Sequence, residues 1–161
     1  MVTIRAIRPD DRERIVAAFR GLEPRSIYTR FFHYKKDLSE EELRRLAQIG
    51  HIREVILVAV VGYGDEQIIV GSGHYAASGP SAELAFVVEE DYQGRGLASR
   101  LLQHLVHIAR ENGVLRLEAD VLAENTPMLA VLRHSGLVVT QARSDGLVHL
   151  TLHLDARPAS T

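Results

Sequence analysis

The sequence contains no cysteine. Disulfides, thiolate metal sites and a cysteine nucleophile are therefore excluded, and the composition fits a reducing compartment. No excess of either charge is present: 19 Lys and Arg stand against 21 Asp and Glu, for a net charge of −2. That balance leaves no electrostatic footprint for a nucleic-acid surface or a polybasic membrane anchor. Long apolar runs are missing too. The longest, Val55 to Gly62, is far shorter than the ~20 residues that cross a bilayer. Met1-Val2-Thr3-Ile4-Arg5 lacks the apolar region of a signal peptide, so a soluble cytoplasmic protein is expected. There is no internal repeat, low-complexity tract or linker. What remains is 161 residues, 46% of them apolar, enough for one domain with a substantial core. The expected domain is 1–156, with a frayed tail at 157–161.

Periodicity divides the chain into short elements. Val2 to Ile7 alternates as a first strand, and Pro9-Asp10-Asp11 opens a helix with acids in its first turn. Its apolar stripe is Ile15, Ala18, Phe19 and Leu22, and Pro24 stops it. Arg25 to Phe32 reads as a second short helix. Ser39-Glu40-Glu41-Glu42 is a capping box for a third, carrying Leu43, Leu46 and Ile49. Glu54 to Val61 is a β-branched apolar run, expected as a central strand buried on both faces. With Gln67 to Ala77 and Ser81 to Val88 it forms an antiparallel meander. A helix then runs over Gly94 to Asn112, a strand over Leu115 to Leu122 and a helix over Asn125 to Ser135. A final hairpin, Leu137 to Ala142 and Leu147 to Leu154, turns at Ser144-Asp145-Gly146. The pattern predicts an α+β protein with a mixed sheet.

The most informative stretch is Gln93-Gly94-Arg95-Gly96-Leu97-Ala98. It follows an apolar strand and opens a strongly amphipathic helix. Two glycines let the backbone approach a bulky anion, and a helix N-terminus points unpaired N–H groups at it. A phosphate cradle is the expectation. A P-loop needs Lys followed by Ser or Thr after its second glycine, and none is present. A dinucleotide-binding loop is the more serious rival, since Gly94 to Ser99 reads G-x-G-x-x-S and Glu118 and Asp120 lie where a ribose-binding acid would fall. Against it, five residues, Glu89 to Gln93, separate strand from glycine, and the preceding strands are a meander rather than βαβ crossovers.

The spacing Gln-x-x-Gly-x-Ala after a strand and a short acidic loop resembles the acyl-CoA pyrophosphate loop of the GNAT family of N-acetyltransferases, and the order of elements agrees over nearly the whole chain. Arg25-Ser26-Ile27-Tyr28-Thr29-Arg30-Phe31-Phe32, Leu38-Ser39 with its helix, and Ala82-Glu83-Leu84-Ala85-Phe86-Val87-Val88 resemble the acetyltransferase domain of bacterial Pat-type protein-lysine acetyltransferases. The resemblance implies a GNAT-like, mostly antiparallel sheet of about six to seven strands flanked by helices, with acetyl-CoA as acyl donor and no metal. It places a catalytic glutamate at Glu83. It gives Phe86 and Val88 main-chain bonds to the pantetheine arm, with an N–H of that strand end for the oxyanion. It assigns the two phosphates to Gln93, Gly94, Arg95, Gly96, Leu97, Ala98 and Ser99, and a further contact with the CoA arm to Asn125.

Acyl transfer to an amine needs a held thioester, a deprotonated amine and a stabilised oxyanion. A lysine ammonium has a pKa near ~10.4, so a carboxylate raised by partial burial is a suitable base. Glu83, near the start of the motif strand, fits that need. Asn125 is also a natural helix N-cap. In place of the tyrosine that many relatives carry as general acid stands Leu132. Tyr34 belongs to the region that forms the acceptor side in the family. The eight histidines show no metal-ligand spacing: His104 and His107 lack a third ligand, and His149 and His153 share one face of the last strand. The expected partners are acyl-CoA and an amine acceptor, with protein lysine favoured and a small amine open; no nucleic acid and no membrane are expected, and the chain is a monomer or homodimer. A non-catalytic acyl-CoA-binding regulatory module is the alternative.

Overall fold

A computed structural model describes residues 2–22, 39–47 and 53–155. The expected helix over Arg25 to Phe32, Tyr34, and the tail 157–161 lie outside the described residues. The elements are β1 (Thr3–Ala6), α1 (Arg12–Arg20), α2 (Glu40–Ala47), β2 (Glu54–Val61), β3 (Ile68–Ser78) and β4 (Ser81–Val88). There follow α3 (Leu97–Glu111), β5 (Arg116–Leu122), α4 (Thr126–Arg133), β6 (Val138–Ser144) and β7 (Leu147–His153).

The strands form one seven-stranded sheet in the order β1-β2-β3-β4-β5-β7-β6. Every pairing is antiparallel except β4 with β5. As expected from its unbroken apolar run, β2 is buried on both faces. Val55, Leu57 and Ala59 enter the larger core cluster, and Ile56, Val58 and Val60 enter a smaller one with Ile15 and Ala18 of α1. α3 covers the first face. Its stripe Leu97, Leu101, Leu102, Leu105 and Ala109 is buried, the spacing that puts one helix side against a sheet. Fully burying a leucine contributes roughly 1.5–3 kcal/mol, so this stripe anchors α3 to the sheet. α1 covers only the β1–β3 end of the opposite face.

The capping box closes as the sequence predicts: Ser39 N–H donates to Glu42 Oε1 at 3.1 Å, and Glu42 N–H donates to Ser39 Oγ at 3.1 Å. Asp11 departs from expectation. Read as an ordinary first-turn acid, it is fully buried. Arg5 Nη1 and Nη2 donate to its two oxygens at 2.8 Å each, Arg14 Nη1 donates at 3.1 Å, and the Arg8 N–H donates at 2.7 Å. Burial pushes its carboxyl up, but the hydrogen bonds from Arg5 and Arg8 outweigh that and hold it below the usual carboxylate range.

Candidate active site

β4 and β5 pair over only three positions, Ser81↔Arg116, Ala82↔Leu117 and Glu83↔Glu118. Beyond Glu83 no pairing joins them, and the five residues Leu84 to Val88 line a cleft of ≈ 900 Å³. The cleft runs through the sheet. On the α3 side its walls are the glycine turn, Asn125, Met128, Val131 and Leu132; on the other side they are His74, Ala76, Glu83, Glu118, Asp120 and His149.

The main-chain direction of β4 follows from one bond. Glu89 N–H donates to Val70 O on β3 at 2.9 Å. Since successive residues of a strand turn their polar groups to opposite edges, Phe86 and Val88 direct N–H and C=O away from β3 and into the gap. Val88 O already accepts from Gln93 Nε2 at 2.9 Å. Gln93 therefore ties the loop to the strand end, and its side chain is engaged there rather than aimed at the glycine turn.

That turn has the conformation its glycines permit. Gly94 and Gly96 have φ of 76° and 77°, a region costly for any residue with a Cβ. A Cβ built on either would meet no heavy atom within 4 Å, so open space lies over both. Gly96 is the N-cap of α3 and no side chain caps it. The first intrahelical bond is Arg100 N–H to Gly96 O at 3.1 Å. The N–H groups of Leu97, Ala98 and Ser99 have no carbonyl one turn earlier in the helix to bond, and no acidic residue occupies the first turn. The result is an anion-binding terminus. Arg95 lies with its guanidinium 5.3 Å from the centroid of the Tyr92 ring, a cation–π contact at the rim. Asn125 caps α4, its Oδ1 accepting from Met128 N–H at 3.3 Å. The expected capping role is thus met by an asparagine that also lines the cleft. Leu132 is fully buried, so this point of α4 presents no acid.

Glu83 reaches the cleft from the opposite face, because its neighbours Ala82 and Leu84 are buried in the core. The sequence reading asks for a partly buried carboxylate, whereas Glu83 is exposed. Its carboxylate makes no hydrogen bond or ion pair with another described residue. Beside it, Glu118 and Asp120 hold His149 of β7 between them. His149 Nε2 lies 3.1 Å from Glu118 Oε1, and Nδ1 lies 2.7 Å from Asp120 Oδ1. The Asp120 hydrogen bond and then that of Glu118 raise the imidazole pKa above its ordinary value, against the lowering effect of burial. Sequence reasoning missed this cluster. It weighs Glu118 and Asp120 only as ribose-binding acids and sets His149 aside as a strand histidine. The available signal was the shared outward parity of positions 118, 120 and 149, usable only once β5 is known to pair with β7. Among the described residues no group of three His, Cys, Asp or Glu is arranged to hold a metal. No helix among them is long and apolar enough to cross a membrane. The antiparallel β2–β3–β4 meander removes the βαβ unit that a dinucleotide loop requires.

Comparison with known proteins agrees with this fold. A family profile described as an acetyltransferase (GNAT) domain matches residues 1–138. An acetyltransferase of Pseudomonas aeruginosa is 34% identical over 129 residues, covering 79% of this chain and 69% of that protein. The acetyltransferase Pat of Mycolicibacterium smegmatis is 31% identical over 162 residues, and the match covers 98% of this chain but only 46% of Pat. This chain therefore spans under half the length of that relative. Among solved structures, the GNAT domain of S. lividans PAT superposes with a TM-score of 0.84 at 32% identity, covering 94% of this chain and 90% of that one. A Salmonella typhimurium protein solved with acetyl-CoA has a TM-score of 0.75 at 18% identity, covering 100% of this chain and 98% of that one, which speaks for the fold.

Proposed function

Since this chain belongs to the GNAT family of acetyltransferases, we propose that it moves an acetyl group from acetyl-CoA to a primary amine, by direct attack in a ternary complex with Glu83 as general base. The observation that carries the reading is the splayed edge of β4. Phe86 and Val88 turn main-chain groups into a gap that ends at an uncapped, glycine-opened helix N-terminus. Those features suit a pantetheine arm, which pairs like an added strand, followed by a diphosphate.

When bound, acetyl-CoA supplies a thioester activated for acyl transfer. The chain's own residues do the rest. Gly94 to Ser99 hold the diphosphate through N–H groups, Gln93 fixes the loop to Val88, and Asn125 closes the α4 side. Arg95 adds positive charge at the rim. Glu83 lies across the sheet from the glycine turn, where an ammonium entering from the opposite face meets a carboxylate that no described residue pairs with. It takes the proton that frees the nitrogen lone pair. Acceptor and donor together would cover the exposed carboxylate. An N–H at the β4 end faces the site of oxyanion charge. With Leu132 in place of an acid, the thiolate leaves unassisted; a thiol pKa near ~8.5 makes it a fair leaving group.

Protein lysine is the favoured acceptor, on the resemblance of Arg25 to Phe32 and Ala82 to Val88 to Pat-type protein-lysine acetyltransferases. Residues 1–156 act as one catalytic domain. The test is thiol release from acetyl-CoA with a panel of lysine peptides, polyamines and amino acids, run for the intact chain and for Glu83→Gln. Turnover abolished in the variant while calorimetry still shows CoA binding supports the reading. CoA binding without turnover on any acceptor favours the acyl-CoA-sensing module instead.

A further inference from the structure

Four carboxylates line the cleft: Glu83 on β4, Glu118 and Asp120 on β5, and Glu124 in the loop between β5 and α4; the first three stand together on the strands of the acceptor face. Glu83 and Glu118 are register partners across the parallel β4–β5 pair and point to the same face. An entering ammonium is drawn to any of them, yet only a nitrogen held at Glu83 is beside the β4 edge where Phe86 and Val88 face the gap. Docking at Glu118 or Asp120 puts it one strand away.

His149 resolves this competition. It is the register partner of Asp120, and both its ring nitrogens lie within hydrogen-bonding distance of a carboxylate oxygen. A neutral imidazole has one N–H and one lone pair, so it satisfies one such contact and sets its lone pair against the other. Only the imidazolium donates to both. Among the described residues no other cation is paired with Glu118 or Asp120: His74 lies 3.4 Å from Glu54, and Arg116, whose Nε donates to Ser81 Oγ, forms an ion pair with neither. Thr151 separates His149 from His153, which bonds Thr140 Oγ1, and Ala142 is the β6 residue opposite His149.

Resting on the reading of Glu83 as base, we propose that His149 is a positioning residue whose imidazolium ties off Glu118 and Asp120, leaving Glu83 as the one carboxylate on β4 and β5 in this cleft whose side chain has no partner among the described residues, and to which the acceptor ammonium docks. The substrate class that follows is a cationic primary amine entering from the β4–β5–β7 face.

Removing His149 frees two decoy carboxylates, so the amine binds more tightly but out of line. Non-productive binding of this kind lowers kcat and KM together and leaves kcat/KM nearly unchanged. A merely structural loss lowers kcat/KM. The experiment is steady-state kinetics at saturating acetyl-CoA, using the panel acceptor with the highest kcat/KM, for the intact chain, His149→Gln and the triple variant His149→Gln/Glu118→Gln/Asp120→Asn. Expected for His149→Gln is a fall in kcat and KM of about three- to tenfold each, with kcat/KM held within about twofold and both parameters restored in the triple variant. Unchanged kinetics, or a fall in kcat/KM that the triple variant does not restore, overturns the proposal. A proton NMR titration of the intact protein gives a second readout independent of turnover: an imidazolium signal for His149 at pH 7 is expected, and a neutral imidazole there overturns the proposal by itself. If no acceptor turns over in the intact chain, the reading of Glu83 fails and this inference falls with it; turnover that depends on Glu83 but not on His149 sinks the inference alone.

Discussion

Gly73 on β3 lies directly opposite Phe86 on β4, and a Cβ added to Gly73 would sit 3.0 Å from Phe86 Cε1 and 2.9 Å from Leu105 Cδ1 of α3. The missing side chain is what lets the Phe86 ring and the α3 stripe close on the sheet. Gly73→Ala forces both to shift, and overpacking of this kind costs about 1–3 kcal/mol. Because Phe86 lines the cleft, the KM for acetyl-CoA should rise as well. Urea denaturation and calorimetry check the two effects; unchanged stability would show that β3 absorbs the methyl and that the contact sets nothing.

Glu83→Gln keeps the shape of the side chain and removes its basicity. Loss of a positioned general base lowers kcat by about 10²–10⁴. Glu83 is exposed and its side chain has no partner among the described residues, so the melting temperature should hold. A variant with full activity would take the base assignment away from this residue.

Gly96 and Gly113 make a matched pair. Both have positive φ, 77° and 79°, and a Cβ on either meets nothing within 4 Å. Alanine at each carries a conformational cost of about 1 kcal/mol. Only Gly96 lines the cleft. Gly96→Ala should therefore lose CoA affinity where Gly113→Ala does not, at similar cost to stability. Equal CoA binding by the two variants would move the diphosphate away from the α3 terminus.

Asp11 gives the protein an acid-sensitive element. Its folded pKa lies below that of the unfolded chain, so its contribution is present above the unfolded value of ~3.9 and is lost as pH falls through the lower, folded one. At neutral pH, Asp11→Asn leaves Arg5 and Arg14 facing an uncharged amide, and breaking a buried ion pair costs about 3–5 kcal/mol. Guanidinium denaturation at pH 7 and pH 3 should show a wide gap between the two proteins at the higher pH and a narrower one at the lower. A constant gap would assign the stabilisation to packing rather than to charge.

Much of this was legible in the sequence, for a local reason. The limits of β2 and β4 match the expected segments residue for residue, because each is an apolar run bounded by turn residues. The capping box of α2 and the glycine turn before α3 are also local chemistry, since conformation there depends on residues a few positions apart. The GNAT resemblance rests on that turn together with the order of elements and the segments Arg25 to Phe32 and Ala82 to Val88. What the sequence did not reveal depends on pairing at a distance. Arg5 and Asp11 meet because β1 and the start of α1 fold back against Gln67, which accepts from Arg5 Nη2 at 3.1 Å. His149 meets Glu118 and Asp120 across some thirty positions, and no periodicity within β7 announces a partner on β5.

The parting of β4 from β5 has a consequence for the molecule as a whole. Among the described residues, four strands on one side and three on the other share a ladder of three residue pairs and the bonds from Leu115 and Arg116 N–H to Pro80 O beside it, so the two groups are joined chiefly by the side chains of the larger core, which runs from Val55 to Leu154. A ligand that bonds along the free edge of β4 adds rungs where the ladder stops. Binding then enters the unfolding equilibrium directly, deepening the native well by RT ln(1 + [L]/Kd). The heat tolerance of this protein in a cell would follow the supply of its own acyl donor.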